Sequence, residues 1–326
     1  MNIDVCNGDA DGLCSVVQWR LHEPQAACLI TGLKRDIALL ERVRAAGGDR
    51  LLVCDVSMRR NLLPLKRLLA AGVAVRYFDH HEVDEIPSHP LLDAHIDEAS
   101  DICTSLLVDR YLGGRFRAWA VVGAFGDNLS GVAEGLAMGL GLSFTDRRRL
   151  QLLGEAINYN AYGESEQDIY ISPGQLYEKL VCFPDPLAFL ESDSIGYALD
   201  AMRQADLGKA EALPPYFQDE RVSIHLLPDA PWSRRVSGSL GNMLAGAEPS
   251  RAHAVLWPTA SGDFSVSVRA PQRFPVGAAE FCRGFGGDGR AGAAGLDHLQ
   301  PQQLEPFVHA FAARRWGDIP AAPGDS

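Results

Sequence analysis

The chain has 326 residues, 47% of them hydrophobic and 22% charged, an ordinary globular balance. That length suffices for two domains, since single cores stop growing near ~250–300 residues. A formal net charge of −12 argues against a tight, non-specific grip on long duplex nucleic acid, which needs many Lys and Arg contacts to phosphate. No apolar run reaches the ~18–20 residues that span a bilayer, and Met1-Asn2-Ile3-Asp4-Val5 lacks a basic leader, so neither a membrane span nor a signal peptide is expected. The seven cysteines are widely spaced and form no Cys-x-x-Cys. That is the pattern of small core residues in a reducing compartment, and a cytoplasmic location is expected.

In chain order, residues 3–6 read as a first strand. Asn7-Gly8-Asp9-Ala10-Asp11-Gly12 follows, and residues 13–21 place apolar side chains at helical spacing. A Gly-flanked turn between strand and helix can aim the Asp9 and Asp11 carboxylates at one point, with a helix N-terminus behind them; the same two residues also suit a plain helix cap and turn. Residues 27–30 predict a second strand and residues 36–46 a helix stopped by Gly47-Gly48. Leu51-Leu52-Val53-Cys54 is an apolar strand of the doubly covered type and ends on Asp55-Val56-Ser57. Residues 61–71 predict a helix stopped by Gly72, and residues 73–78 a β-branched and aromatic strand that delivers Asp79-His80-His81. Alternation of this kind predicts a parallel sheet, whose ligands bind beyond the carboxyl ends of its strands.

A helical section follows, over residues 104–112 and 117–125. Asp127 closes the second of these apolar stretches, where a buried carboxylate must be paired, cap a helix or bind a metal. Residues 145–210 look mainly helical and fit a lid, an insertion or a dimer contact. Leu213-Pro214-Pro215 sets the expected boundary between a domain of residues 1–212 and a smaller one of residues 213–316, with a disordered tail over 317–326. In the second domain, residues 222–227, 252–257 and 264–269 read as strands, with a helix over 236–244. Residues 285–295 hold five glycines, whose exposed backbone N–H groups suit a phosphate or carboxylate nest, although such a stretch is also an ordinary flexible turn. From Arg221 to Gly295 there are eight Arg, no Lys and five acidic residues; Arg without Lys suits bidentate recognition of phosphate.

Asp9, Asp11, Asp55, Asp79, His80, His81 and Asp127 together supply carboxylate and imidazole ligands, most of them at the strand ends of one sheet. Mixed O and N ligands suit Mn2+, and Mg2+ less well, while the lack of thiolates argues against structural zinc. Two such ions would activate a water for in-line attack on phosphorus.

This ordered set resembles the DHH phosphoesterase superfamily. Asp9-Ala10-Asp11-Gly12 looks like its first motif, Asp55-Val56-Ser57 its second, Asp79-His80-His81 its third and Gly123-Ala124-Phe125-Gly126-Asp127 its fourth. The Arg269 strand and the glycine stretch resemble the associated substrate domain. The resemblance implies an α/β fold: a parallel-sheet catalytic domain with a helical extension, plus a smaller α/β C-terminal domain. It also implies two Mn2+ ions, with Mg2+ an alternative. Asp11, Asp55, His80 and Asp127 would hold one ion, and Asp9 and the bridging Asp55 the other. Asp79 would orient a ligand and His81 would meet the substrate phosphate. Arg269, Gly286, Gly287, Gly289 and Arg290 would hold the rest of the substrate. Two positions depart from the pattern. Many members carry His where this chain has Val5, and RecJ-like exonucleases carry an acidic residue where it has Asn7. In addition, Arg290 stands where the glycine loop usually has its His, and Asp288 replaces one of the glycines before it.

The expected activity is metal-dependent hydrolysis of short single-stranded RNA or DNA from an end. Cyclic dinucleotides or 3′-phosphoadenosine 5′-phosphate are alternative substrates, and a weakly active nucleotide-binding scaffold is the alternative from another class. No membrane partner is expected, and a homodimer is left open.

Overall fold

The computed structural model describes residues 1–316; the tail expected over 317–326 lies outside the described residues. The chain divides into two compact units, Met1–Met202 and the residues from Arg203 onward. That division falls inside a helix, ahead of the Leu213-Pro214-Pro215 turn.

The first unit begins β1 (Asn2–Cys6), α1 (Ala10–His22), β2 (Cys28–Ile30), β3 (Arg50–Cys54), α2 (Met58–Ala70), β4 (Ala74–Asp79) and β5 (Leu92–Ile96). Its five strands are all parallel, in the order β2-β1-β3-β4-β5. Strand side chains alternate between faces. Ile3, Val5, Leu51, Val53, Val75 and Tyr77 pack with Leu65, Leu68 and Leu69 of α2. Cys6, Leu52, Cys54 and Phe78 point the other way, into a core with α1. Covering on both faces is why β1, β3 and β4 are mainly apolar. On the α1 face Asp4 is buried too, and Arg20 of α1 meets it with two hydrogen bonds, of 2.5 and 2.6 Å.

Two local outcomes differ from the sequence reading. Where a helix is expected over residues 36–46, only the 3-10 turn Leu39–Arg42 forms. The buried Asn61 side chain takes over its backbone groups, accepting from Leu40 N–H at 3.1 Å and donating to the Ile37 carbonyl at 2.6 Å. β5 is a strand that no apolar run announces, because Leu92-Asp93-Ala94-His95-Ile96 forms the edge of the sheet and is only half-buried.

The helices α3 (Thr104–Tyr111), α4 (Arg117–Gly126), α5 (Ser130–Gly139), α6 (Phe144–Asn160), α7 (Pro173–Leu180), α8 (Pro186–Ser192) and α9 (Ile195–Glu211) follow. Hence residues 145–210 are mainly helical, as expected. α4 runs close against α1 and α6 through glycine. A Cβ on Gly126 would lie 2.3 Å from the Ala10 Cβ and 3.0 Å from the Gly154 carbonyl oxygen. That approach brings Asp127, which caps the C-terminus of α4, to the head of α1.

The second unit holds β6 (Phe217–Gln218), β7 (Val222–Leu226), α10 (Pro231–Ala247), β8 (Ala252–Pro258), β9 (Phe264–Arg269), α11 (Ala278–Arg283), β10 (Asp288–Gly289), β11 (Ala293–Leu299) and α12 (Leu304–Ala313). The sheet order is β10-β11-β9-β8-β7-β6. β7 and β8 are parallel, joined by α10, and the other pairs are antiparallel. The unit is therefore α/β, as expected.

The glycine stretch is ordered as the β10–β11 hairpin. Cβ atoms on Gly287 and Gly289 would come within 2.2 Å of the Gly295 oxygen and 2.4 Å of the Ala294 Cα, so glycine is required there by strand pairing itself. All seven cysteines are free thiols; five are buried as expected, whereas Cys28 and Cys182 are exposed. Among the described residues no helix is long and apolar enough to cross a membrane.

Candidate metal centre

A strand order of 2-1-3-4-5 reverses direction between β1 and β3, and the crevice at such a reversal is where open parallel sheets bind ligands. β1 ends just before Asp9 and Asp11, β3 just before Asp55, and β4 on Asp79, with His80 and His81 next. Asp127 arrives from α4. The sheet edge thus gathers all seven residues singled out for the centre, while Arg269, Gly286, Gly287, Gly289 and Arg290 belong to the second unit.

Each aspartate has a distinct setting. Asp9 is the N-cap of α1 and accepts from Gly12 N–H at 3.0 Å. Its other oxygen lies 2.5 Å from the Lys34 ammonium. Asp11 accepts from Thr104 N–H and Ser105 N–H, both at 2.7 Å, and so seats the N-terminus of α3. Asp79 accepts from Met58 N–H at the start of α2, from His80 N–H and from His81 Nδ1 at 2.7 Å. Asp55 adopts φ 58°, a left-handed conformation that Asp tolerates better than most residues and that turns the chain from β3 toward α2.

His80 is buried, and its Nδ1 lies 2.9 Å from the Ile102 carbonyl oxygen. That carbonyl requires the proton on Nδ1, so the Nε2 lone pair faces the carboxylates of Asp55 at 3.4 Å and Asp11 at 3.9 Å. An Asp127 oxygen lies 3.9 Å from Nδ1. His81 is half-exposed, and single ligand atoms of Asp55, His80 and His81 lie within 4.8 Å of one another.

The charges are unevenly satisfied. Burial, followed by the neighbouring Asp9 and Asp11, pushes the Asp55 carboxyl well above the usual range. Burial also opposes ionisation of Asp9 and Asp79, but the Lys34 ammonium and the His81 ring outweigh it, and both carboxyls are held below their ordinary value. In the same way Asp79 outweighs burial at His81 and raises its pKa. The donor set is oxygen and imidazole with no thiolate, and it contains a carboxylate that only an added cation would ionise comfortably. The residues therefore fit a divalent ion of the Mn2+ or Mg2+ type.

Sequence reasoning missed Lys34, Thr104, Ser105 and Ile102. Only the Cys103-Thr104-Ser105 run, with small hydroxyl residues before an amphipathic stretch, carried a helix-start signal.

In the second unit, Arg269 is the last residue of β9. Its guanidinium donates to Asn242 Oδ1 at 3.0 Å, to Ser267 Oγ at 2.9 Å and to the Val268 carbonyl at 3.1 Å. Arg269 pairs in register with Ala293, whose carbonyl accepts from Arg290 N–H, so the turn carrying Arg290 borders the Arg269 strand end.

No protein-family model and no curated protein matches the chain. Among solved structures it is similar to a DHH domain from a member of the s1p family of ribosomal proteins (TM-score 0.67, 14% identity, covering 95% of this chain and 85% of that one). It is likewise similar to exonuclease RecJ bound to manganese (TM-score 0.61, 18% identity, 97% and 91% covered). A third is PggH from Vibrio cholerae, a pGpG-specific phosphodiesterase (TM-score 0.56, 13% identity, 95% and 96% covered). The fold is that of DHH-domain proteins, as the four motifs imply.

Proposed function

We propose that this chain is a divalent-cation-dependent phosphodiesterase that releases mononucleotides from the end of short single-stranded RNA or DNA. The observation that carries this reading is Asp55, a buried aspartate at the switch point of the sheet, flanked by Asp9 and Asp11 and facing the Nε2 of His80. Asp11, Asp55, His80 and Asp127 would hold the ion. When bound, such an ion lowers the pKa of a water and offsets charge on the phosphoryl oxygens.

The protein's own groups do the positioning. Ile102 fixes the His80 tautomer through Nδ1, and the N-terminus of α3 orients Asp11. Asp79 holds His81 by Nδ1 and favours its protonated ring, whose Nε2–H would donate to a phosphate oxygen. Arg269 and Arg290, with the backbone at Gly286, Gly287 and Gly289, are assigned to substrate binding. The Arg269 fork is already tied down by Asn242 and Ser267, which lowers the entropy lost on meeting a phosphate. A net charge of −12 favours a short substrate over a long polymer. The likeness to RecJ and to a pGpG-specific phosphodiesterase supports the class of substrate.

The test is a panel of end-labelled RNA and DNA oligomers from dinucleotides such as pGpG upward, with cyclic dinucleotides and 3′-phosphoadenosine 5′-phosphate alongside. Mononucleotide release with Mn2+ that stops in EDTA is the expected result. A protein that binds Mn2+ and hydrolyses nothing in the panel would leave the scaffold reading in its place.

A further inference from the structure

We propose that Lys34 is the second cation of this centre, a built-in ammonium that neutralises Asp9 and leaves the site holding one divalent ion. This rests on the metal-dependent reading above and departs from the pair of ions that the sequence motifs imply.

The argument begins at Asp9, the carboxylate expected to hold the second ion. Both of its oxygens are in use, one by Gly12 N–H and the other by the Lys34 ammonium at 2.5 Å. A divalent ion on that second oxygen would face an ammonium within contact distance, and like charges so placed in a buried site repel strongly. The lysine is not a passing surface chain. Its Nζ also reaches Asn158 Oδ1 at 3.3 Å and lies 5.6 Å from the centre of the Tyr162 ring. Its backbone N–H donates to the Ala161 carbonyl at 3.0 Å, and its own carbonyl accepts from Asn7 Nδ2 at 3.4 Å. Two backbone contacts therefore fix the residue, and Asn158 and Tyr162 flank its ammonium beside Asp9.

The neighbouring positions agree. Val5, one residue before the end of β1, is fully buried in an apolar cluster and offers no ligand atom. Asn7 is neutral, and its side chain is turned to the Lys34 backbone. A second divalent ion on Asp9 would thus meet a carboxylate already paired with Lys34, with Asp55 as its neighbour. On the other side of Asp55, Asp11 is seated by the Thr104 and Ser105 N–H groups and both carboxylates face His80 Nε2, at 3.9 and 3.4 Å. The cations are divided accordingly, a fixed one on Asp9 and an exchangeable one on Asp55.

Titration of metal-free protein with Mn2+, followed by calorimetry and by electron paramagnetic resonance, tests this. Wild-type protein is expected to bind one Mn2+ per chain with an uncoupled spectrum. Lys34→Met is expected to admit a second, weaker Mn2+ that couples magnetically to the first, and the double variant Asp9→Asn/Lys34→Met is expected to return to one. Lys34→Gln serves in place of Lys34→Met if that variant fails to fold by circular dichroism. Two coupled Mn2+ ions in the wild type would overturn the assignment while leaving the metal-dependent function standing. A stoichiometry of one in both Lys34 variants would overturn it as well. No bound Mn2+ in folded wild-type protein would instead overturn the function, and this inference with it.

Discussion

Replacing Asp55 by Asn separates the stability of this centre from its function. The substitution keeps the side-chain shape, and Asn tolerates the φ of 58° found there. What it removes is a carboxylate that burial, Asp9 and Asp11 already penalise. Asp9 is neutralised by Lys34, which leaves Asp11 as the main opposing charge. Oxygens of Asp11 and Asp55 lie 3.9 and 3.4 Å from the same His80 nitrogen. They are therefore no more than about 7 Å apart, where two unit charges at an effective dielectric of ~20 repel by about 2 kcal/mol. Without metal, Asp55→Asn is expected to gain about that much stability. In a unit of this size the gain corresponds to a rise in Tm of roughly 4–8 °C.

With Mn2+ the order reverses. An ion at 100 times its Kd stabilises the wild type by about 2.7 kcal/mol, and the variant is expected to forgo that along with hydrolysis. Differential scanning fluorimetry in EDTA and in Mn2+ reads both arms. A variant that melts below wild type in EDTA, or that keeps the Mn2+ shift, would refute the reasoning. Asp55→Ala is a poorer probe because it adds the left-handed penalty, about 1–2 kcal/mol.

Three further outcomes follow from single contacts. Gly126→Ala puts a Cβ 2.3 Å from that of Ala10 with the Gly154 carbonyl behind it, so neither neighbour can rotate away; about 1–3 kcal/mol should be lost in urea, together with Mn2+ affinity as Asp127 shifts. His81→Gln should cut turnover by about 10²–10⁴ with Mn2+ affinity changed less than tenfold, and an equal loss of binding would make His81 a metal ligand instead. In the second unit, burial lowers the pKa of His253, which is held between Ser223 Oγ and the Glu248 carbonyl. The unfolded chain then binds the extra proton, so stability is full above pH ~6.5 and falls below it by up to about 1.4 kcal/mol per unit. Urea midpoints at pH 7.5 and 5.5 should show that slope flattened in His253→Gln, and an unchanged slope would clear His253 of it.

How much of this was legible in the sequence depended on where the partners lie. β1, β3 and β4 are covered on both faces and so are mainly apolar, and each delivers its aspartate at a position the eye can find. β5 is an edge strand with Asp93 and His95 in a five-residue run, and its alternation is too short to separate from a loop. The 36–46 segment has helical spacing, but a side chain 21 residues downstream claims its backbone. The centre shows the same division. Its ligand types stand in short motifs, whereas the groups that tune them come from afar: the Asp11 donors are 93 and 94 residues away and Lys34 is 25 residues from Asp9, in a turn with no signature of its own.

The division of labour among the four central carboxylates follows from helix geometry. A helix N-terminus presents unpaired N–H groups and the positive end of its dipole, so a carboxylate seated there is partly neutralised by backbone alone. Asp9 takes that place at α1, Asp79 at α2 and Asp11 at α3. Asp55 has no such seat. It lies at the bend between β3 and α2, where its side chain accepts from the Thr104 hydroxyl at 3.4 Å, shares a hydrogen bond with Asp9 and faces the His80 and His81 rings at 3.4 and 3.9 Å. It is also the carboxyl whose pKa is pushed up. Three helices thus pre-compensate three charges and leave the fourth to whatever binds. An ion that enters this site gains most from Asp55, and a protein that fixes Asp9 with a lysine concentrates that gain further. The reactive centre is accordingly expected between Asp55, Asp11 and His80, and no nearer Asp9 than the Lys34 ammonium permits.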